Sequence, residues 1–212
     1  MTHAFIFFTR SFSAFTLLVL FAMACASPEY HPDAMSLQRE AMKVYARKPD
    51  SALALLDKAV QMDASFYLAY NTKAMIMQQS GDFDRAVAEL HKSLSWKGDQ
   101  AEVHLQLGML NDALGSSERA NDAYLRAIAL YDMRIAQPNA HGIEDRFNRA
   151  IALILSGEEV RGNALLDSLK VQHPDQSFIQ ALAQRQAERK QSEGDSVVFN
   201  KAFYLETLFE RP

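Results

Sequence analysis

The residues that could do chemistry are few and are scattered along the chain. The six histidines form neither an HExxH motif nor a metal-binding spacing. Asp82-Phe83-Asp84 places two carboxylates one residue apart, which could hold a metal ion. Acidic residues just before a helix also stabilise its N-terminus, and we favour that interpretation here. Because nucleophile-elbow, Walker and dinucleotide-binding motifs are also missing, the sequence predicts neither an enzyme nor a cofactor.

Cys25 is the one residue whose position does predict chemistry. Residues 1–24 carry a single charge, Arg10, and end in a 13-residue apolar run. This run is too short to cross a bilayer, so the segment is predicted to be a signal peptide. The junction Ala22-Met23-Ala24-Cys25 resembles the lipobox of bacterial lipoproteins. That resemblance implies that the Cys25 thiol is acylated, with palmitate or a similar chain, after cleavage. The alternative is an ordinary Ala-x-Ala cleavage site beside an incidental cysteine.

The residues around Cys25 also predict where the protein is located. Two acyl chains hold a protein stably on a membrane, and residues 26–33, with two prolines, have the composition of a short tether. The residue after the cysteine is Ala26 rather than Asp, which resembles lipoproteins that bacteria with two membranes pass to the outer one. We therefore expect a signal peptide over 1–24, a lipidated tether over 25–33, and an exported protein anchored at the periplasmic face of the outer membrane.

The charge of the chain argues against nucleic acid as a partner. The net charge is −4, and it becomes −5 once Arg10 leaves with the signal peptide. Binding to nucleic acid is dominated by basic residues that neutralise phosphates. The sequence has no basic stripe of that kind, so we predict that it does not bind nucleic acid.

Three stretches of the chain repeat one pattern of small and large residues, with internal offsets of 7, 5, 4 and 3. Small residues let two helices approach closely, and a glycine ends the first helix with a left-handed residue at no steric cost. Each landmark of the second copy lies the same number of residues after its counterpart in the first copy. The landmarks are Ala74, Gly81, Ala86, Leu90 and Ser93, then Gly108, Gly115, Ala120, Tyr124 and Ala127, then Ala150, Gly157, Gly162, Leu166 and Leu169.

This pattern resembles the tetratricopeptide repeat, a 34-residue unit of two helices. The resemblance rests on Leu107-Gly108, on Ala86-x3-Leu90 and Ala120-x3-Tyr124, and on Pro174 at the end of the third copy. It implies an all-α fold, a right-handed superhelical solenoid of antiparallel helix pairs. With a less regular first unit, the predicted repeats are about 34–66, 67–100, 101–142 and 143–175.

The interval from Gly115 to Gly157 is longer than the interval from Gly81 to Gly115, which indicates an insertion. We predict a longer second helix, from Glu118 to about Ile135, followed by a loop over 137–142. Insertions in repeat arrays map to loops and can bind partners. A tolerated surface insertion is the interpretation we favour, because surface loops absorb extra length at little cost.

Residues 176–212 follow the repeats. Residues 176–191 have the pattern of a capping helix, and the segment after Gly194 carries apolar residues at spacings of 3 and 4. We expect that segment to pack on the last repeat as an extra helix, since large apolar patches are seldom left exposed. The alternatives are that it docks into a concave groove, its own or that of a second copy, or binds a partner. Its apolar residues are Val198, Phe199, Ala202, Phe203, Leu205 and Phe209.

In the tetratricopeptide family the first helix of each pair lines a concave groove that binds proteins or peptides. The groove positions carried over from the family contain no Lys or Arg, which disfavours a clamp for a peptide carboxylate. Met, Leu, Phe and amides suit a partner segment with apolar anchors. The positions are Leu68, Asn71, Thr72, Met75 and Gln79, then Leu105, Gln106, Met109 and Asp112, then Phe147, Asn148 and Ile151.

These features predict a function in protein binding at the cell envelope. The leading hypothesis is a lipoprotein that acts as an adaptor or assembly factor for a larger envelope complex. The alternative is an immunity-type or inhibitory binder that blocks a toxin or a hydrolase.

Overall fold

A computed structural model describes residues 30–138, 142–194 and 200–209. The signal peptide, Cys25 and residues 26–29 lie outside the described residues, as do Val198, Phe199 and residues 139–141 of the inserted loop. The described residues contain helices and no β-strand. The helices are Pro32–Val44 (α1), Pro49–Met62 (α2), Tyr67–Gln79 (α3), Phe83–Trp96 (α4), Ala101–Ala113 (α5), Ser117–Ile135 (α6), Ile143–Leu155 (α7), Glu159–Gln172 (α8), Ser177–Glu193 (α9) and Lys201–Phe209 (α10).

Consecutive helices pack as pairs, and the pairs stack along the chain. The closest packing is between α1 and α2, α3 and α4, α5 and α6, and α7 and α8, and each second helix also packs on the first helix of the next pair. The predicted all-α fold of stacked helix pairs is confirmed. Such an array builds its core only between neighbours in sequence.

The repeated landmarks explain the pairing. Gly81, Gly115 and Gly157 adopt φ values of 81°, 74° and 99° in the turns after α3, α5 and α7, where a side chain would be strained. At Gly108 a Cβ atom would overlap the ring of Tyr124, which is fully buried on the partner helix α6. The small residue therefore permits the close crossing of α5 and α6.

The start of the first repeat differs from the predicted tether. Helix α1 begins at Pro32, whose fixed φ suits the first helical position, and His31 precedes it as the N-cap. The backbone N–H of His31 donates to Asp63 at 3.1 Å. The Tyr30 ring lies 4.8 Å from that of Phe66. These contacts attach residues 30–33 to the repeats, so they do not belong to a free tether.

The inserted residues lengthen α6, as predicted. It has 19 residues, whereas α2, α4 and α8 have 14 each. In the added turn, Tyr131 is fully buried. Arg134 forms ion pairs with Glu102 of α5 and Asp145 of α7. The longer helix thus ties together the first helices on either side of it.

No described helix is long and apolar enough to span a bilayer.

Candidate functional site: the concave groove

The first helices form the inner layer of the array. Helix α1 contacts α3, and α5 contacts α7, in addition to their own partner helices. A buried small residue marks the same place in each first helix, and the residue after it is at a position that the family resemblance assigns to the groove. These groove residues are Met42, Met75, Met109 and Ile151, which follow Ala41, Ala74, Gly108 and Ala150.

The half of the groove built by α1 and α3 is open, and we call it the open half. Met35, Met42 and Leu68 are exposed, at 37%, 42% and 37% of their surface, and Met75 is half-buried. The repeat pattern does not place Met35 and Met42 in the groove. The interval from Ala41 to Leu56 is shorter by one position than the corresponding interval in the other repeats, so the first helix was out of register with the pattern.

The predicted groove amides mostly link neighbouring repeats. Asn71 Nδ2 donates to Gln100 Oε1 at 2.9 Å, and Gln106 Nε2 donates to Gln78 Oε1 at 2.7 Å. Thr72 Oγ1 accepts from the Gln38 side chain at 3.0 Å. Because these bonds join different first helices, they position the groove wall. Their side chains are thereby less free to bind a partner.

The half of the groove built by α5 and α7 is covered by α10, and we call it the covered half. Lys201, the first residue of α10, places Nζ 2.7 Å from Asp112 Oδ2 and 5.2 Å from the centre of the Tyr124 ring. The Tyr124 hydroxyl donates to the same Asp112 oxygen at 2.6 Å. The Asp112 side chain is 7% exposed. Asp112 thus joins α5, α6 and α10 at the end of the groove where the first helices finish.

Two aromatic residues of α10 complete the cover. Phe203 and Tyr204 are buried in one cluster with Leu105, Tyr124 and Ile151. The Tyr204 hydroxyl donates to Asn163 of α8 and accepts from Gln186 of α9, at 2.8 and 3.0 Å. The helix therefore reaches from the third repeat across the fourth to the capping helix α9.

The effect of α10 is visible at equivalent places of the groove. Gln79 of α3 and Ala113 of α5 are exposed, whereas Leu155, at the same place in α7, is 1% exposed. Ile151 is 4% exposed, whereas Met75 and Met109 are half-buried. The cover is thus over the groove face of α7. Of the interpretations offered for the C-terminal segment, the structure agrees with the favoured one, an extra helix packed on the last repeat, and this helix also covers the groove face of α7.

The predicted groove residues therefore differ in accessibility. Thr72, Leu105 and Ile151 are buried. Phe147 and Asn148 are half-buried, and the Phe147 ring packs edge-on against that of Phe178 on α9, 4.9 Å away. The residues that retain most surface for a partner are Leu68 and Gln79.

The electrostatics of the covered half keep Tyr124 neutral. Burial raises the pKa of the Tyr124 hydroxyl, and its hydrogen bond to the Asp112 carboxylate raises it further. The hydroxyl therefore remains a donor to Asp112 at any physiological pH. Asp112 then has two donors of different kinds, a phenol and an ammonium group.

The other candidate sites have structural roles. Asp82 is the N-cap of α4, where its side chain accepts from the backbone N–H of Arg85. His104 is half-buried, and this burial lowers its pKa. The hydrogen bond to the Gly98 carbonyl raises the pKa but does not outweigh burial. Within the described ranges, no three His, Cys, Asp or Glu side chains are grouped to hold a metal ion.

Comparison with known proteins agrees with this architecture. Residues 44–110, from the end of α1 into α5, match the family model of the tetratricopeptide repeat. This segment of the chain is therefore similar to tetratricopeptide repeats. The paired helices and the buried small residues at their crossings continue this arrangement through α8.

Two individual proteins are similar to this one. An uncharacterized protein of Haemophilus influenzae is 24% identical over 137 residues, which cover 64% of this chain and 73% of that protein. The crystal structure of YrrB, a TPR protein with an unusual peptide-binding site, aligns with 92% of this chain and 90% of its own. Its TM-score is 0.48 and its sequence identity is 19%.

Proposed function

We propose that this protein is a membrane-anchored adaptor or assembly factor of the bacterial envelope, which binds a partner protein in the open half of its groove. Tetratricopeptide repeats are generally scaffolds for contacts between proteins. The observation that carries the proposal is the row of accessible apolar side chains on α1 and α3. Met35, Met42, Leu68 and Met75 are exposed or half-buried there, on helices fixed by inter-repeat hydrogen bonds.

The composition of the open half indicates the kind of partner. Methionine side chains adapt to anchors of several shapes, and a groove between helices suits an amphipathic helix that presents apolar residues at helical spacing. A partner segment with exposed apolar anchors therefore fits best. The identity of that partner will separate an assembly factor from an inhibitor that blocks a toxin or a hydrolase.

The membrane anchor rests on Cys25 at the end of the apolar N-terminal segment. Described residues begin at Tyr30, which packs on Phe66 and Tyr67 at the first repeat. Only the few residues between Cys25 and Tyr30 would separate an acylated cysteine from the folded repeats. The anchor would thus hold the open half of the groove close to the membrane, where envelope partners are found.

The groove is tested with Met42→Glu and Met75→Glu in the full chain, used to capture partners from detergent-solubilised envelopes. Loss of a central apolar anchor costs about 2 kcal/mol or more, roughly thirtyfold in affinity, so both variants should lose the partners of the wild type. The control is Val160→Glu on α8, where the side chain is 88% exposed. Unchanged capture by both groove variants would exclude the groove and direct attention to the 137–142 loop and the outer surface.

The anchor is tested separately with Cys25→Ser. We expect the variant to leave the membrane fraction, and mass spectrometry of the wild type to find an acylated N-terminal cysteine. Wild-type protein that partitions into the aqueous phase of a detergent extraction would refute the lipoprotein assignment. It would not affect the groove.

A further inference from the structure

The contacts of α10 have the form of a ligand bound in a site rather than of a simple cap. We propose that Asp112 and Tyr124 form a lysine-binding site at the end of the groove, and that α10 is its ligand within the same chain. A partner helix that presents a lysine followed by two aromatic residues would occupy this site in its place. This inference deepens the proposed function and rests on it for the identity of the natural competitor.

The site is built from a carboxylate and an aromatic ring. Asp112 Oδ2 accepts a hydrogen bond from the Tyr124 hydroxyl and lies 2.7 Å from the Lys201 ammonium group. The same ammonium group lies over the Tyr124 ring. A carboxylate and the face of an aromatic ring both attract a cation. The carboxylate side chain is 7% exposed, so its charge is little screened by water. Gly108 is what allows the ring to lie there, since a Cβ atom would overlap it.

The residues of α10 that are buried against the repeats have a defined spacing. Phe203 and Tyr204 follow Lys201 by two and three residues and are 7% and 1% exposed. The Tyr204 hydroxyl is bonded to Asn163 and Gln186, so this aromatic position has a polar requirement as well as an apolar one. The array therefore recognises a pattern of Lys-x-Phe-Tyr on one helix. By contrast, Ala202, which lies between Lys201 and Phe203, is exposed.

Helix α10 is too short to be stable without the repeats. It has 9 residues, and an isolated helix of that length is marginal in water. Its outer ion pair, Glu206 with Arg189, is largely exposed. Helix α10 therefore depends on the repeats for its order, through contacts that include those of Lys201, Phe203 and Tyr204. A competing helix that makes the same contacts and also reaches the open half would displace it.

The experiment uses a labelled synthetic peptide of residues 200–209 and the full chain. Lys201→Glu combined with Phe203→Asp should release α10, because it places a carboxylate beside Asp112 and a charge in the aromatic cluster. The matched control is Ala202→Glu, a charge on the exposed side of the same helix. An intrachain ligand has an effective concentration on the order of 1 mM, so for a peptide Kd near ~10 µM the released variant should bind about 100-fold more tightly than the wild type or the control.

Two further changes test the lysine site itself. In the released variant, Asp112→Asn should weaken peptide binding by about tenfold or more. A peptide with Met in place of Lys201 should lose as much affinity for the released variant that retains Asp112. Hydrogen exchange should show the amides of residues 203–206 protected in the wild type and unprotected in the released variant. Circular dichroism checks that the repeats remain folded.

Several results would overturn the proposal. Equal peptide affinity for the wild type and the released variant would show that α10 does not compete for the site. A folded released variant that takes up no peptide would make α10 a structural cap only, and a Met peptide that binds as tightly would remove the lysine site. A wild-type dimer that becomes monomeric on release would mean that α10 occupies a second copy instead. Because no envelope partner is used, these results are independent of the capture experiment.

Discussion

The first helices α3 and α7 occupy equivalent places in the array, yet one faces an open groove and the other a covered one. In α7 six consecutive residues, 150–155, are buried and apolar. In α3 the buried residues include Thr72 and Lys73, and Gln79 is exposed where α7 has Leu155. A stretch of helix that is apolar all round requires neighbours on every side. The comparison shows that a few groove positions decide whether the surface needs a cover.

The interiors of the two halves differ in the same way. In the covered half, Tyr124, Tyr131 and Tyr204 fill the core with aromatic rings. In the open half, Lys73 lies between α2 and α4 and pairs with Asp57 at 2.8 Å and with Glu89 at 3.1 Å. Burial lowers the pKa of Lys73, but its two carboxylate partners outweigh that effect and raise it overall. The interior of the open half thus includes a buried lysine paired with two carboxylates, and the interior of the covered half includes three buried tyrosines.

The largest effect should come from Gly108→Leu in the covered half. Even a Cβ atom at this position overlaps the Tyr124 ring, so α5 and α6 would have to separate, at a cost of about 3 kcal/mol or more in the free energy of unfolding. Denaturant unfolding measures this. Gly98→Ala is the control, because the nearest atom to a Cβ there is the Leu94 carbonyl oxygen at an ordinary 3.6 Å. A Gly108→Leu protein as stable as the wild type would contradict the close helix crossing.

In the open half, Lys73→Ala should cost about 3 kcal/mol in the free energy of unfolding, because the Glu89 side chain, 8% exposed, would lose its buried cation. The matched control is Lys92→Ala, which removes an exposed cation from the same Glu89 carboxylate and should cost about 0.5 kcal/mol or less. Thermal unfolding of both variants distinguishes them. Equal losses would show that the burial of Lys73 does not matter.

Leu155→Gln would make the groove face of α7 resemble that of α3. A buried amide without a partner costs about 1–3 kcal/mol, and α10 should loosen. Hydrogen exchange at residues 203–206 should therefore speed up, while exchange in α3 stays unchanged. Gln79→Leu, the reverse change at the exposed position of α3, serves as the control and should leave exchange in α10 as it is. If α10 stays protected from exchange in Leu155→Gln, Leu155 does not determine whether α10 covers α7.

The smallest effect concerns pH and the Arg134 cluster. Burial acts to raise the pKa of Glu102, but the hydrogen bond and charge of Arg134 outweigh it and hold the pKa below its usual 4.5. Because the folded-state pKa is lowered, the ion pair stabilises the fold above about pH 4.5 and this contribution is lost as the pH falls further. Glu102→Gln should therefore be less stable than the wild type by about 0.5 kcal/mol at pH 7. The difference should decrease as the pH falls below 4.5, and a difference that stays constant through this range would contradict this assignment.

Much of the architecture could be predicted because it depends on local patterns. Small residues such as Ala74 and Ala86 recur at the spacing of one helix pair, and both are fully buried at the crossing of α3 and α4. The longer α6 followed from the interval between Gly115 and Gly157. The groove was harder to predict, since the first repeat is one position short of the common spacing and its Met35 and Met42 were therefore overlooked.

The sequence by itself determined which helices pair, because the landmarks of a repeat lie within one unit and act between neighbours in the chain. The apolar residues at spacings of 3 and 4 after Gly194 also predicted a further helix. Only the tertiary structure decided that this helix, α10, packs on α7. The site for Lys201 combines Asp112 of α5 with Tyr124 of α6, while Tyr204 meets Asn163 of α8. Such a surface exists only once several repeats have stacked, so no local spacing records it.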